Sequence, residues 1–397
     1  MHHAIVIVGG GTAGITVASR LRRAGHDDVA VIDPAATHYY QPLWTLVGAG
    51  MVDAKQTARR ESDVMPRGVR WIQEPAVGID PEEQTVELAS GARVGYDHLV
   101  VAPGIQLDWD GVEGLPDTLG HAGVSSNYRY DLAPRTWDFL RELQGGRAVF
   151  TMPSGPIKCG GAPQKIAYLA ADHFREQGRL GDIEIVLVLP TPGIFGVPEF
   201  ARTLEQVVER YGIDVRFEHE LAAVDADAKR LTLVDRSGGQ ERTEQLDYDF
   251  VHVVPPQSAP DWLKKTALAD ASPQGYVDVD KHTLQHVRYP NVFALGDAAN
   301  SPNSKTGAAI RKQAPVVVEN LGAVIAGQQP TARYGGYSSC PLVTAKNRMI
   351  LAEFDYSMRP APSIPGIDTT QERYDMWLLK RYALPMLYWN LMLRGLA

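Results

Sequence analysis

The chain has only two cysteines, and one of them lies where a thiol becomes reactive. Cys159 is flanked by Lys158 and Lys165 and comes shortly before Pro163, which suits the first turn of a helix. A helix N-terminus and neighbouring lysines lower the pKa of a thiol, so we expect Cys159 to be a good thiolate nucleophile. Cys340 follows 181 residues later, a separation that excludes a CxxC redox or zinc-ribbon motif. From spacing alone, two unrelated buried thiols are the better interpretation.

A glycine-rich turn near the start of the chain predicts a dinucleotide-binding site. Gly9, Gly11 and Gly14 fit the GxGxxG pattern between the apolar run Ala4–Val8 and a stretch with helical spacing. The first glycine permits a tight turn, the second lets the backbone approach a pyrophosphate, and the third allows close helix–strand packing. Asp33 ends the next strand, where a carboxylate can accept hydrogen bonds from ribose hydroxyls.

Two further turns at strand ends point to FAD rather than NAD. Leu295-Gly296-Asp297 places a carboxylate at a strand end and resembles the second FAD fingerprint of the two-dinucleotide flavoproteins, in which that carboxylate contacts the ribityl chain. The buried strand Tyr96–Ala102 ends at Pro103-Gly104. We therefore expect Gly104 and Asp297 to bind the same cofactor as the glycine turn.

No second nucleotide site is expected. After the predicted strand Arg147–Met152, the loop contains Pro153 and Pro156, which lack amide donors and fix φ where a phosphate turn needs donors and freedom. This second α/β block is therefore predicted to have lost its nicotinamide site. That loss argues against NADH:quinone reductases and NADPH-dependent disulfide reductases.

Four stretches resemble the sulfide:quinone oxidoreductases, in particular the branch that includes the mitochondrial enzyme. The resemblance extends over nearly the whole chain, and its motifs surround both cysteines, so it favours a redox pair over two inert thiols. The stretches are Tyr40–Thr45, Ile157–Lys165, Gly296–Thr306 and Ser339–Val343.

The resemblance implies a reaction and the residues that perform it. Cys159 and Cys340 would form a disulfide, or a disulfide with an inserted sulfur, that faces the flavin. Hydrosulfide would attack Cys340 and leave a persulfide, and the released Cys159 thiolate, stabilised by Lys165, would deliver two electrons to the flavin. The flavin would pass them to a membrane quinone. The persulfide would hand its sulfur to a thiol, to sulfite or to another sulfide.

The cofactor is expected to be non-covalent FAD. Relatives that tether the flavin use a third cysteine in the amino-terminal third, and this chain has none there. The resemblance implies that Gln41 and Pro42 pack near the isoalloxazine ring and that Lys305 approaches the flavin or the quinone. No metal site is expected. The alternatives left open are a type II NADH:quinone oxidoreductase, a non-catalytic flavin redox sensor or subunit, and a flavocytochrome-type sulfide dehydrogenase subunit.

Two α/β units are needed to position these motifs. Strand and helix patterns alternate from Ala4 and again from Arg147, which predicts an α/β fold with two Rossmann-type domains, the second degenerate. The expected FAD-binding domain comprises residues 1–110 and 271–330, and the second domain comprises residues 111–270. Residues 331–397 are expected to form a C-terminal domain that carries a membrane-associating segment.

The segment Tyr374–Leu396 mixes Trp, Tyr, Leu and Met with basic residues, a composition typical of helices that lie in a lipid interface. We expect Pro385 to divide it into two short helices, with Lys380 facing anionic lipid and with Trp377 and Tyr382 as possible quinone neighbours. The alternative is a terminal helix pair packed on the protein or at a dimer interface.

The bulk composition limits the partners. A net charge of −8 and the absence of a basic tract argue against nucleic acid. No apolar stretch is long enough to cross a bilayer, and Ala4–Val8 lacks the basic flank and cleavage site of a signal peptide. We therefore expect no signal peptide and a peripheral, monotopic protein on the cytoplasmic face of a membrane, and a homo-oligomer is compatible with the sequence.

Overall fold

The computed structural model describes all 397 residues and contains 21 strands and ten α-helices. The strands are β1 (His2–Val8), β2 (Val29–Ile32), β3 (Thr37–Tyr39), β4 (Ala58–Arg60), β5 (Arg70–Ile72), β6 (Ala76–Asp80), β7 (Thr85–Leu88), β8 (Arg93–Val101), β9 (Gln106–Leu107), β10 (Val124–Ser125), β11 (Gly146–Thr151), β12 (Ile183–Leu189), β13 (Asp214–Phe217), β14 (His219–Asp225), β15 (Arg230–Asp235), β16 (Arg242–Asp247), β17 (Phe250–His252), β18 (Gln257–Ser258), β19 (Val292–Ala294), β20 (Ser338–Ala345) and β21 (Arg348–Phe354). The helices are α1 (Thr12–Arg23), α2 (Trp44–Gly48), α3 (Glu61–Val64), α4 (Leu132–Glu142), α5 (Ala162–Glu176), α6 (Pro198–Tyr211), α7 (Asp261–Lys264), α8 (Gly307–Ile325), α9 (Tyr374–Leu378) and α10 (Leu384–Asn390).

The first sheet forms the amino-terminal Rossmann unit. Strands β5, β2, β1 and β8 are parallel neighbours in that order, β19 pairs in parallel with the end of β8, and β7 and β6 continue the sheet in antiparallel fashion. Strand β1 reads as a continuous apolar run because residues 5–8 are buried between helices and neighbouring strands. The strand that precedes Asp297 therefore lies in the same sheet as the strand that precedes the glycine turn.

The second sheet has the order β10-β17-β11-β12-β13 and is entirely parallel. A three-stranded antiparallel sheet, β14-β15-β16, is attached to it. After the second unit, β18, which begins at Gln257, pairs with β9 of the first unit. The predicted α/β fold with two Rossmann-type units is confirmed.

The C-terminal part consists of the β20–β21 hairpin and a terminal helical run, residues 374–394. The hairpin packs on α5, and the principal apolar core of 85 buried residues extends from the first sheet through α5 into it. Cys340 on β20 belongs to this core. Both cysteines are therefore held by one rigidly packed structure.

The expectation that Pro385 divides the terminal segment is wrong. Helix α9 continues through a π-helical turn, Leu379–Ala383, directly into α10. A proline inside a helix lacks an N–H and its ring clashes with the preceding turn, and here the wider π-turn accommodates both effects. No helix in the chain has both the length and the apolar character of a bilayer span.

Candidate active site

The glycine turn has the local geometry that a dinucleotide cradle requires. Gly9 has φ +103°, and a Cβ there would lie 2.2 Å from the carbonyl oxygen of Ala102. A Cβ on Gly14 would lie 1.8 Å from the carbonyl oxygen of Gly9, so the helix approaches the strand as closely as backbone allows. A Cβ on Gly11, in contrast, would meet nothing within 4 Å. This open space lies at the N-terminus of α1, where amide groups and the helix dipole favour phosphate.

Asp33 closes the turn from the end of β2. One carboxylate oxygen accepts a hydrogen bond from the amide of Gly10, and the other accepts one from the amide of Ala35 at 2.7 Å. The carboxylate is thus fixed beside the glycine turn, at the position where the sequence predicts a ribose contact.

A cavity of about 520 Å³ lies next to this turn and collects most of the predicted site residues. Its wall is formed by the glycine turn, by the loop before α2, by the first turns of α5 and α8, by the β20–β21 hairpin and by the terminal helical run. Of the predicted residues, those on the wall are Gly11, Gln41, Pro42, Gly104, Cys159, Lys165, Asp297 and Lys305. Trp377 and Tyr382, the possible quinone neighbours, are not on it, and Tyr382 is exposed.

The two cysteines, far apart in sequence, meet beside this cavity. Both are free thiols, and they lie close enough for each to shift the pKa of the other. Cys159 has φ +54°, an unusual conformation for a side chain of this size, and its amide donates to the carbonyl oxygen of Lys305 at 2.8 Å. Cys340 is 1% exposed, and its sulfur lies 3.8 Å from the hydroxyl of Ser304. Backbone outliers of this kind are concentrated at functional sites.

The electrostatics make the two thiols unequal. The interaction with the Cys340 thiol holds the pKa of Cys159 well below its usual range, and the charge of Lys165 lowers it further. The ammonium group of Lys165 lies 3.1 Å from the Cys159 sulfur. The same thiol–thiol interaction, together with burial, raises the pKa of Cys340 well above its usual range. The pair therefore favours the thiolate at Cys159 and the thiol at Cys340.

Lys380 belongs to this site, although the sequence analysis directed it toward lipid. It is 2% exposed, and its ammonium group donates to the carbonyl oxygen of Pro42 at 2.7 Å. Burial, and next the charge of Lys165, lowers the pKa of Lys380 to about 7. The expectation was wrong because Met376, Lys380 and Tyr388, spaced by four and eight residues, form the inward face of the helical run. That spacing is the signal that could have revealed it.

Lys305 and Asp297 are placed together at the strand–turn after β19. The ammonium group of Lys305 donates to the carbonyl oxygens of Asp297 and Ala299, both at 2.8 Å, so it stabilises the turn. Burial lowers the pKa of Lys305 to about 8. Burial also raises the pKa of the Asp297 carboxyl group, while the charges of Lys305 and then Lys158 oppose that shift.

Lys158 and Lys165 flank Cys159 in sequence but have different partners in space. The ammonium group of Lys158 donates to the side-chain oxygen of Gln41 at 2.7 Å. Burial lowers the pKa of Lys158 to about 8. Of the two lysines, Lys165 is the one that donates to the thiolate.

The residues present fit a flavin nucleotide. The open backbone at Gly11 can receive a pyrophosphate, and Asn127 on the cavity wall is 7% exposed with neither its amide nitrogen nor its amide oxygen hydrogen-bonded. Buried carboxamides are almost always paired, so this one indicates a polar ligand or water in the cavity. The Asn127 backbone amide donates to Nε2 of His252 at 2.8 Å, and burial lowers the pKa of that imidazole to about 3, so it stays neutral.

In the loop after β11, the hydrogen-bond donors that the phosphates of a second dinucleotide would need are bound to a carboxylate instead. The amide and hydroxyl of Ser154 both donate to one carboxylate oxygen of Glu220, at 2.7 and 2.8 Å. A phosphate at this loop would meet a negative charge and the two prolines Pro153 and Pro156. The geometry therefore supports the loss of the nicotinamide site.

Comparisons with known proteins agree on the relatives of this chain. Residues 3–314 match the family model described as pyridine nucleotide-disulphide oxidoreductase. The chain is 41% identical to the mitochondrial sulfide:quinone oxidoreductase of Mus musculus over 99% of its own length and 87% of that protein. It is 40% identical to the Dictyostelium discoideum counterpart over 98% and 86% of the two chains. The crystal structure of the Aquifex aeolicus sulfide:quinone oxidoreductase matches with a TM-score of 0.82 at 20% identity, over 99% of this chain and 91% of that one.

Proposed function

Since the chain belongs to the sulfide:quinone oxidoreductases, within the pyridine nucleotide-disulphide oxidoreductase family, we propose that it oxidises sulfide at a redox disulfide formed by Cys159 and Cys340. One observation carries this proposal. The only two cysteines of the chain lie beside one nucleotide-binding cavity, close enough for each to shift the pKa of the other, and a lysine ammonium group lies 3.1 Å from one of the sulfurs. Structural thiols do not need such a neighbour.

The unequal pKa values of the two thiols assign the steps. Hydrosulfide attacks the Cys340 sulfur, the disulfide bond breaks, and Cys159 leaves as a thiolate that Lys165 stabilises. The better leaving group in thiol–disulfide exchange is the thiol of lower pKa, which is Cys159. The new persulfide stays on Cys340, in the buried and apolar part of the site.

Sulfur transfer completes the cycle. An acceptor thiol, sulfite or a second sulfide removes the outer sulfur and leaves a thiol on Cys340. The two sulfurs then form the disulfide again, which releases the thiol proton of Cys340 and two electrons. When bound, FAD would supply the two-electron redox chemistry that links this disulfide to a quinone. The glycine turn and Asp33 would hold its adenosine pyrophosphate part, and Asp297 and the first turn of α8 would hold the flavin part.

FAD is proposed to be held without a covalent bond. A flavin tether of the cysteinyl kind needs a third cysteine, and both cysteines of this chain are engaged with each other. The cradle at Gly9–Gly14 binds through backbone amides, which form no covalent link.

We also propose that the terminal helical run attaches the protein to a membrane surface. Its outer face exposes Tyr374, Leu378, Tyr382 and Met386, each four residues after the one before. Its inner face carries Leu384, Leu387 and Met392 on the cavity wall. A helix with this outer face suits a lipid interface, and a lipid-soluble quinone would then have a short route to the cavity.

An anaerobic titration tests the reaction. Purified holoprotein is titrated with sulfide and then mixed with a short-chain quinone, while the flavin absorbance is followed. We expect bleaching by sulfide and recovery with quinone in the wild type, and loss of efficient turnover in Cys159→Ala and in Cys340→Ala. Wild-type turnover in both variants would refute the redox pair. Bleaching by NADH at a comparable rate would favour a type II NADH:quinone oxidoreductase instead.

A further inference from the structure

The glycine turn is tied to the rest of the molecule on both sides of Gly11. On one side, the Gly10 amide donates to the Asp33 carboxylate, within the same βαβ unit. On the other side, the Thr12 hydroxyl lies 2.8 Å from the Tyr388 hydroxyl on α10, 376 residues away in sequence. A Cβ on Gly11, between the two ties, would meet nothing within 4 Å. The open space at this turn therefore lies between one local contact and one long-range contact.

A buried series of polar side chains orients the Tyr388 hydroxyl. Nε2 of His38 on β3 lies 2.6 Å from that hydroxyl, and the Glu61 carboxylate at the start of α3 lies 3.2 Å from Nδ1 of His38. Glu61, His38 and Tyr388 are 1%, 3% and 4% exposed, so water does not compete for these contacts. Burial raises the pKa of Tyr388, so its hydroxyl keeps its proton and can both donate and accept. Whichever way the hydrogen bonds run, the contacts to His38 and Thr12 are both satisfied.

The terminal helical run packs along α1 beyond this contact. The Ser19 hydroxyl on α1 donates to the carbonyl oxygen of Leu393 at 2.6 Å, and the Arg20 guanidinium group donates to the backbone oxygen of Ala397. A Cβ on Gly395 would lie 2.9 Å from the backbone nitrogen of Arg20, so the end of the run approaches the helix backbone closely. The run therefore holds α1 from its first residue to Arg20.

A glycine-rich turn needs such contacts in order to bind a pyrophosphate. Glycine has more backbone freedom than any other residue, and fixing that freedom costs entropy. If the turn is already fixed before the ligand arrives, less of this cost falls on binding. Asp33 supplies one fixed point from within the local motif. We infer that Tyr388 supplies the second and positions the first turn of α1 for the pyrophosphate, so that the terminal helical run is part of the FAD-binding site. This inference rests on the proposed binding of FAD at the glycine turn.

A purely structural role accounts poorly for the polar series behind Tyr388. A buried carboxylate and imidazole can often be replaced by well-packed apolar side chains without loss of stability. Polar partners that lock the orientation of a group next to a ligand are, in contrast, a common requirement of binding sites. His38 and Glu61 thus act through Tyr388, because they fix the direction in which its hydroxyl points.

The FAD affinity of the apoprotein tests the inference without any turnover. FAD is removed, and its binding to wild type, Tyr388→Phe and Thr12→Val is followed by flavin fluorescence. Each single variant should bind FAD about 5- to 10-fold more weakly, the effect of losing one hydrogen bond. Because both substitutions remove the same bond, the double variant should bind within about twofold of either single variant.

Competition by ADP separates positioning of the turn from a direct contact with the flavin. ADP carries the adenosine and the pyrophosphate but no flavin, so its affinity should fall in Tyr388→Phe by the same factor as that of FAD. Tyr248→Phe is the matched control, because it also removes a buried tyrosine hydroxyl, one that has no partner and lies outside this cavity. Its affinities for FAD and ADP should equal those of wild type.

Specific outcomes would overturn the inference. Wild-type FAD affinity in Tyr388→Phe would do so, even with a lowered melting temperature, since the contact would then be structural. Additive losses in the double variant, or an ADP affinity that Tyr388→Phe leaves unchanged, would do so as well. If Tyr388→Phe does not fold, Thr12→Val is judged by the same FAD and ADP criteria. A wild-type apoprotein that binds neither ligand would instead refute the proposed cofactor site itself, and this inference with it.

Discussion

Replacing Lys165 with methionine measures how strongly one buried ammonium group stabilises the Cys159 thiolate. At an effective dielectric constant of about 20, two unit charges 3.1 Å apart attract each other by about 5 kcal/mol. Water that enters the site, and the nearby charge of Lys380, offset part of this loss. We therefore expect the pKa of Cys159 to rise by about 1–3 units, each equivalent to about 1.4 kcal/mol.

The assay is the rate of alkylation by iodoacetamide as a function of pH, since only the thiolate reacts. The protein with Lys165 and the Lys165→Met variant both carry Cys340→Ser, so that Cys159 is the only thiol. The serine hydroxyl preserves a hydrogen-bond donor next to it. The pH at half-maximal rate reports the pKa of Cys159. Lys158→Met is the control, because Lys158 also adjoins Cys159 in sequence but donates to Gln41.

Two results would refute this reasoning. A midpoint that does not move in Lys165→Met would show that the contact at 3.1 Å does not stabilise the thiolate. An equal shift in Lys158→Met would show that general positive charge, and not the specific hydrogen bond, lowers the pKa.

Three further predictions concern the cofactor and the buried lysine. Gly11→Ala should leave the melting temperature of the apoprotein unchanged but lower its FAD content after reconstitution, because the added Cβ enters open space where the pyrophosphate binds. Gly14→Ala should lower the melting temperature itself, because its Cβ would lie 1.8 Å from the carbonyl oxygen of Gly9. Acid or heat denaturation should release all flavin into the supernatant, and flavin retained on the denatured chain would contradict non-covalent binding. The pKa of Lys380 is lowered to about 7 in the folded protein, compared with about 10.5 in the unfolded chain. Its charge therefore destabilises the fold fully below pH 7 and not at all above pH 10.5. Lys380→Met should raise the free energy of unfolding more at pH 6 than at pH 10. Denaturant titrations at the two pH values check this, and an equal gain at both would contradict it.

Local patterns in the sequence were sufficient for the nucleotide-binding unit. The glycine turn, the strand before it and Asp33 lie within about 30 residues, and each glycine is required by backbone geometry that the chain creates locally. The prolines after β11 likewise predict the loss of a phosphate turn from local geometry alone. These features could be predicted because their physical causes are confined to neighbouring residues.

The position of the terminal helical run could not be predicted in the same way. Its composition indicates an amphipathic segment, but it does not show which face packs inward or how a proline is accommodated. The π-turn before Pro385 and the burial of Lys380 against Pro42 result from packing on the first domain. Likewise, the series from Glu61 through His38 to Tyr388 joins elements separated by up to 350 residues.

The sequence by itself indicated a dinucleotide site in the amino-terminal unit, predicted that the second unit has lost such a site, and placed the two cysteines in the motifs of one enzyme family. Only the tertiary structure decided that the two thiols lie close enough to shift each other's pKa, that Lys165 and not Lys158 contacts the Cys159 sulfur, and that Lys380 is buried at the same site. The reason is physical. A turn is stabilised by bonds among adjacent residues, whereas contact between α5, β20 and the terminal helical run depends on how separately formed units pack into one core.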